Sequence, residues 1–379
     1  MGSTNITLTD GYAMPLLKSI SQIAGEDDPQ YKITPSGFTK MLLKDNKTIR
    51  DARVLQLNLP TGQQRRIFIK YQNRYSVNAV QEEDNCDIDV MPSYLESELL
   101  APRVAKLGIY ISFADLQQFQ DDAIATVELG KPATKFMQEH VYSIMRAANA
   151  IISKIDQRLL GDIVWGKNAA YGLSANAQTL NINKDATKND LTTGLAQLLT
   201  DAYTNEMWGD LQIMGSGLFQ NYEFQKIAAG LAMNGVDVSR FTGYEWFGDL
   251  NAASVLGENK IGVFSAGAVG FVDLNQFIGQ FSGELGISTL FQMALPVSTN
   301  QNDGTVPMVT FDAQLKPIDC PTVLLNGYGD QVTYDKGYAL FITKNYGLWQ
   351  IPSDAYGTDD RLNGVNGSLL YTIENVDAD

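Results

Sequence analysis

The strongest pattern of apolar and polar positions runs from Met137 to Gly161, MQEHVYSIMRAANAIISKIDQRLLG. Apolar residues fall at Met137, Val141, Ile144, Met145, Ala148, Ile151, Ile152, Ile155 and Leu159. That three-and-four spacing makes one continuous helical stripe. Lys131-Pro132 marks the start, where a missing N–H costs nothing, and Gly161 marks the stop. The pattern predicts a helix over 133–160, roughly 40 Å long at 1.5 Å per residue.

Upstream the period changes to two. ARVLQLNLP sets Leu55, Leu57 and Leu59 against Gln56 and Asn58. Pro60-Thr61-Gly62-Gln63 turns the chain, and RRIFIKYQ returns with Ile67, Ile69 and Tyr71 alternating with Arg66, Phe68 and Lys70. This predicts a β-hairpin. VQEEDNCDID then reads as a solvated acidic break. Residues 1–45 read as an irregular, extended arm with one short helix at SGFTKMLLKD. KLGIYISFADLQQF gives a short strand, Gly108 to Phe113, followed by a brief helix or turn.

From about 175 to 300 the pattern alternates. NDLTTGLAQLLTDAYTN and NYEFQKIAAGLAMNG read as helices, LQIMGS and KIGVFSAG as strands, which argues for an α/β unit. From about 304 the chain is β-rich, with VPMVTFDAQLKPID, YALFITKNYGLWQIP and SLLYTIEN as strands. No repeat or Pro/Ser-rich linker divides these regions.

Composition narrows the function. The 379 residues have room for two or three packed units. Only 19 % are charged, so much of the surface is uncharged. Such a surface suits burial against other chains, because stable interfaces are depleted in charge at their cores. The net charge of −15 argues against a nucleic-acid binder, which needs a basic face to displace counterions. Cys86 and Cys320 match no metal spacing; free thiols in a reducing compartment are expected, with one long-range bridge as the alternative. No signal peptide is visible at the N-terminus, and no apolar run reaches membrane-spanning length. The three Asn-X-Ser/Thr sites (Asn5, Asn46 and Asn366) carry no meaning without secretion.

Candidate chemistry is sparse. Gly161–Lys167 matches GxxxxGK, but Asn168 stands where a phosphate loop needs Ser or Thr. A helix precedes it where a strand should, so it reads as a helix stop. His140, the one histidine, falls off the apolar stripe without an orienting carboxylate or nucleophile, and is expected at a surface or interface. Asn300–Gly304 misses the EF-hand spacing. SAGAVGF and NGYGDQ lack GxGxxG spacing and read as turns, and no nucleophile elbow is present. No catalytic residue, cofactor or metal is predicted.

The order of the pieces carries the remaining signal: an arm, a charged hairpin, a strand, one long helix, an α/β unit and returning β-strands. GIYISFADLQQF resembles the strand-plus-polar segment ahead of the spine helix in the major capsid proteins of tailed double-stranded DNA bacteriophages, the Hong Kong 97-like fold. ANAIISKIDQRLLGD is similar to the end of that helix. The tail GLWQIPSDAYGTDDRLNGVNGSLLYTIEN resembles capsid proteins from phages of Bacteroidetes-type hosts.

The resemblance implies an α+β capsid fold. Its parts would be an N-terminal arm at 1–45, an E-loop hairpin at 46–85, a peripheral domain at 86–175 and an axial domain at 176–303. Shared return strands would occupy 304–379. It also implies hexamers and pentamers in an icosahedral shell assembled in the bacterial cytoplasm. A separate scaffolding protein and a portal protein would be partners, and DNA would be enclosed without specific binding. Residues 1–45 and 52–75 would make intersubunit contacts, among them Leu55, Leu57, Pro60, Gly62, Arg65, Arg66, Phe68 and Lys70. Lys70 is also a conceivable crosslink donor, and glycine-rich turns in 260–290 and 325–330 would line the ring axis. Alternatives are an encapsulin-type compartment shell, a tail or decoration protein, and a glycosidase using two carboxylates.

Overall fold

A computed structural model of the chain describes residues 12–24, 31–44, 68–72, 93–98, 103–128, 134–168, 173–174, 178–183, 193–205, 207, 211–216, 244–265, 267–273, 284–285, 288–298, 308–318, 322–325, 331–334, 337–351 and 366–376. In chain order its first elements are α1 (Met14–Ala24), α2 (Gly37–Lys44), β1 (Phe68–Gln72), β2 (Tyr94–Glu98) and β3 (Arg103–Ser112). Helices α3 (Phe113–Glu128) and α4 (Lys135–Asp162) follow, then β4 (Lys167–Asn168), β5 (Leu173–Ser174) and β6 (Gln178–Asn183). Next come α5 (Thr193–Thr204), β7 (Leu211–Gly215), β8 (Tyr244–Gly248), the one-turn α6 (Ala252–Val255), β9 (Lys260–Ser265) and β10 (Val269–Asp273). The remaining strands are β11 (Glu284–Leu285), β12 (Ser288–Pro296), β13 (Met308–Ile318), β14 (Thr322–Leu325), β15 (Gln331–Tyr334), β16 (Gly337–Gln350) and β17 (Ser368–Val376).

The chain divides into two units. The first comprises Met1–Pro35, Pro102–Ile155 and Asp273–Tyr346; the second comprises Ser36–Ala101, Asp156–Val272 and Gly347–Asp379. The long helix gives its residues up to Ile155 to the first unit and those from Asp156 onward to the second.

In the first unit, β12, β13, β16 and β3 pair antiparallel in that order. The register sets Met293 opposite Phe311, Ala313 opposite Ile342 and Leu315 opposite Leu340. These six side chains are buried, as period-two alternation requires of one sheet face. The opposite face is mixed, with Gln292, Thr310, Asp312 and Gln314 beside Leu290 and Phe341. There Asp312 accepts hydrogen bonds from Asn345 Nδ2 (3.1 Å) and Gln292 Nε2 (3.5 Å). Helix α1 packs on β12 and α3. The segment after it adds a short parallel bridge, with Ile33 N donating to Pro296 O (2.8 Å) and Ser298 N to Ile33 O (2.7 Å).

Helix α3 opens with a capping box. Ser112 Oγ accepts from Asp115 N (3.1 Å), and Asp115 Oδ2 accepts from Ser112 N (3.4 Å) and Oγ (2.7 Å), satisfying two amides that the first turn leaves orphaned. Thr134 caps α4 in the same way, accepting from Met137 N (3.2 Å). This cap moves the helix start to Lys135, two residues beyond the expected 133. The helix also runs through Gly161 to Asp162, because a glycine alone does not end a helix. Its 28 residues span about 42 Å, and the predicted stripe from Met137 to Leu159 is buried throughout.

The second unit holds a mixed sheet in the order β6-β17-β9-β7-β8. β6 and β8 run parallel to their neighbours, and the inner pairings are antiparallel. On one face Leu198, Ala202 and Met207 close over Leu211, Ile213, Ile261, Val263, Leu369 and Tyr371. On the other, Phe264 meets the rings of Phe38 (5.8 Å) and Trp165 (5.4 Å). With both faces covered, β7 is buried along its whole length, Gln212 included, as a strand packed on both sides should be.

Three expectations change. Residues 12–24 and 31–44 are not an irregular, extended arm: α1 forms because burial of Leu16 and Ile20 rewards the helix, while Pro15 sits in the first turn, where no N–H is required. The strand predicted at 108–113 begins five residues earlier, at Arg103, because β16 provides a partner along the whole of β3. The brief helix or turn after it is α3, a helix of 16 residues. Conversely, α5 and strands β7, β9, β13, β16 and β17 appear where the periodicity placed them.

Candidate assembly elements and buried polar centres

Leu55, Leu57, Pro60, Gly62, Arg65 and Arg66 lie outside the described residues, as do Cys86, Cys320 and the helix expected at 221–235. Phe68 and Lys70 lie on β1. That strand pairs antiparallel with β2, placing Phe68 opposite Glu98 and Lys70 opposite Glu96. The described partner of β1 therefore comes from residues 94–98, across the acidic stretch. The strand expected to pair with it, 52–60, lies outside the described residues.

Two polar centres organise the described core. In the first unit, Tyr12 is buried and its hydroxyl lies 2.6 Å from His140 Nε2. Phe119 stacks beside both, with ring centroids 5.0 Å from Tyr12 and 5.4 Å from His140. His140 thus has a partner that the sequence reading missed, and it faces the packed start of α1. Burial pushes its pKa down to about 4, against a smaller upward pull from Asp115. Burial also raises the Tyr12 phenol far above its ordinary value. With both groups neutral, the hydroxyl and Nε2 share one hydrogen bond whose direction is set by the imidazole tautomer.

Protonation of His140 is penalised in the folded state. Its contribution is whole above pH 6.5 and is lost as pH falls toward 4, by up to about 3 kcal/mol. His140→Gln is expected to flatten that part of the stability profile. Denaturant unfolding of wild type and variant between pH 7 and 4.5 measures the difference; identical slopes would show that His140 does not titrate as described.

The second centre lies in the second unit. Asp156 Oδ1 accepts from Thr39 N (2.9 Å) and Thr39 Oγ1 (2.6 Å), and its Oδ2 accepts from Asn251 Nδ2 (2.9 Å). Asp249 Oδ2 accepts from Phe38 N (2.7 Å), and its Oδ1 from Asn251 N (2.7 Å) and Ala252 N (2.9 Å). Both carboxylates are buried, and each oxygen already serves a helix N-terminus or a side-chain amide. Burial first, and the Asp156 charge second, push the Asp249 carboxyl up to about 6. A raised carboxyl can mark a general acid, but this one is enclosed and committed to capping α2 and α6. The pair has a structural role.

The GxxxxGK stretch is also held structurally. Gln350 brackets Val164, accepting from its N–H (3.0 Å) and donating to its carbonyl (2.8 Å). Asn366 Nδ2 donates to the same carbonyl (2.6 Å). Among the described residues, no group of three or more His, Cys, Asp or Glu is placed to hold a metal, and no helix is long and apolar enough to cross a membrane.

Large apolar side chains stand in solvent in each unit. Val104, Phe113 and Met308 do so in the first, and Val164, Tyr203 and Leu250 in the second, Leu250 being 90 % exposed.

The chain is similar to several solved phage structures. It matches one from Mycobacterium phage Adephagia at 14 % identity and a TM-score of 0.41, covering 83 % of this chain and 86 % of that one. It matches the capsid asymmetric unit of cyanophage A-1(L) at 11 % and 0.43, covering 89 % and 93 %. It matches the head structure of Helicobacter pylori bacteriophage KHP40 at 10 % and 0.36, covering 82 % and 85 %. No family model matches the chain, and no curated protein does.

Proposed function

We propose that this chain is a structural shell protein, the major capsid protein of a tailed double-stranded DNA bacteriophage. The observation that carries the reading is the build of the chain. A paired ribbon, β1–β2, lies between the docked arm and β3. One 28-residue helix supplies both units, and strands from the C-terminal third return to both sheets. The two polar centres bind the molecule to itself, each carboxylate oxygen being taken up by a backbone or side-chain donor. On this reading the first unit is the peripheral domain with its spine helix, the second is the axial domain, and β1–β2 belongs to the E-loop. Hexamers and pentamers would close the shell with scaffolding and portal proteins. The net charge of −15 would let enclosed DNA slide along the wall without adhering.

Electron microscopy of the expressed protein, with and without a candidate scaffold, tests this. Closed shells, or rings of five and six subunits, are the expected result. A compact monomer under all conditions overturns the proposal. Shells that protect a protein cargo in place of DNA would point instead to a bacterial compartment.

A further inference from the structure

Strand β3 is an edge. It pairs with β16 along its whole length, and among the described residues no strand pairs with its other side. Ala105, Leu107 and Ile109 lie opposite Lys344, Ile342 and Leu340, which are buried. The three β3 residues are themselves only half-buried, so the core face of the sheet is incompletely covered here. A long edge strand offers its open N–H and C=O groups to any strand that can pair with them. The usual guards are weak. No proline interrupts β3, and Lys106, the one charge inside it, sets its ammonium over the Phe341 ring of its own sheet, 4.2 Å from the centroid.

The ribbon β1–β2 has the converse need. It is a two-stranded sheet with five residues on each side, and two strands alone are marginal in water. Residues 99–102 separate β2 from β3, enough for a hairpin loop. Yet β2 pairs with β1 and β3 pairs with β16, in separate sheets. The edge of β3 is therefore left for a strand from another molecule. Charge fits as well: β2 carries Glu96 and Glu98, and β3 carries Arg103 and Lys106.

We propose that β2 of one copy adds antiparallel to the edge of β3 in a second copy, with Glu96 opposite Lys106. This register sets Leu95 opposite Leu107, which completes the core face, and Ser97 opposite Ala105. It also sets Tyr94 opposite Gly108. A Cβ at Gly108 would lie 3.0 Å from the Phe341 ring, so an aromatic on the next strand extends the cover over a position that must stay bare. Lys70 is opposite Glu96 within the ribbon, so one row across the joined sheets reads Lys70, Glu96, Lys106. A slip by one residue would move Leu95 to the open face. Two different surfaces meet in this contact, so it is head-to-tail and can close into rings. It rests on the shell reading, names the surface that receives the ribbon, and is separate from the contacts expected of residues 52–66.

Cysteine pairs in the full chain test it, with Cys86 and Cys320 replaced by serine. Successive antiparallel pairs alternate between wide and close spacing, and the close ones suit a disulfide. One chain therefore carries Leu95→Cys with Leu107→Cys, and another Glu96→Cys with Lys106→Cys. Mild oxidation of the assembled protein is expected to give, for at least one pair, a non-reducing ladder from dimers up to covalent rings. Chains with one cysteine of the pair should give no ladder. In the otherwise unaltered chain, Lys106→Glu should raise the concentration needed for assembly at least tenfold and leave the circular dichroism unchanged. Shells or rings that give no ladder from either pair overturn the proposal and leave the shell reading standing. Disulfides confined within single chains, or assembly of Lys106→Glu at the wild-type concentration, do the same. A wild-type chain that never assembles overturns both.

Discussion

Deleting residues 52–66 is expected to leave folded, soluble subunits that form no shells. The expectation follows from where these residues lie in the chain. They precede β1 and fall between α2, whose first amides are held by Asp249 and Asp156, and a ribbon whose other strand is 94–98. The cut leaves β1 and β2 paired, and it touches neither the cluster under α5 nor the Phe38–Phe264 contact. The unfolding free energy is therefore expected to change little. On the proposed shell reading, assembly should change completely, because a shell contact is repeated at every interface and closure requires all of them. The larger deletion of 52–75 removes β1 as well and strips β2 of its described partner, so the shorter cut is the cleaner experiment. Circular dichroism and denaturant unfolding report the fold; sedimentation and microscopy report assembly. Normal shells from the 52–66 deletion would remove the hairpin from the assembly mechanism. Failure to fold would show that the segment belongs to the core.

Much of this architecture could be read from periodicity because the stripes are long and local. The helix from Met137 and strands β7, β9, β13, β16 and β17 each bury one face or both, and their apolar spacing records it. Helix α1 escaped because Tyr12, Leu16 and Ile20 make only three stripe positions around a proline. Their helical state is secured by burial against α3 and β12. The polar centres were illegible for a different reason. FGDLNAAS shows an Asp ahead of a short helix, an ordinary local cap. Nothing near it in sequence reveals that Asp249 also takes the amide of Phe38, 211 positions away. His140 was misjudged in the same way, since its partner Tyr12 lies 128 residues earlier. Long-range polar pairs carry no period, so only the fold displays them.

The sharpest test of how the arm is seated concerns a single hydrogen atom. Gly37→Ala is expected to detach α2, because its new methyl group would lie 2.3 Å from Gly248 O, 2.6 Å from Gly248 C and 3.0 Å from Asp249 N. All three are backbone atoms, so no side-chain rotation relieves the overlap. Backing the helix away would stretch the Phe38 N–Asp249 and Thr39 N–Asp156 hydrogen bonds, at 2.7 and 2.9 Å. Overpacking costs about 1–3 kcal/mol. Loss of the two hydrogen bonds to charged groups adds about 1.5–3 kcal/mol each, so a total of roughly 4–9 kcal/mol is expected. Gly161→Ala is the control. Its methyl group would meet only Val255 Cγ1, at an ordinary 3.8 Å, and alanine favours a helix over glycine by up to about 1 kcal/mol. Hydrogen exchange should show α2 deprotected in Gly37→Ala while α4 keeps its protection, with Gly161→Ala unchanged or slightly more stable. If both variants behaved alike, the close approach of α2 to the end of β8 would not be what seats the arm.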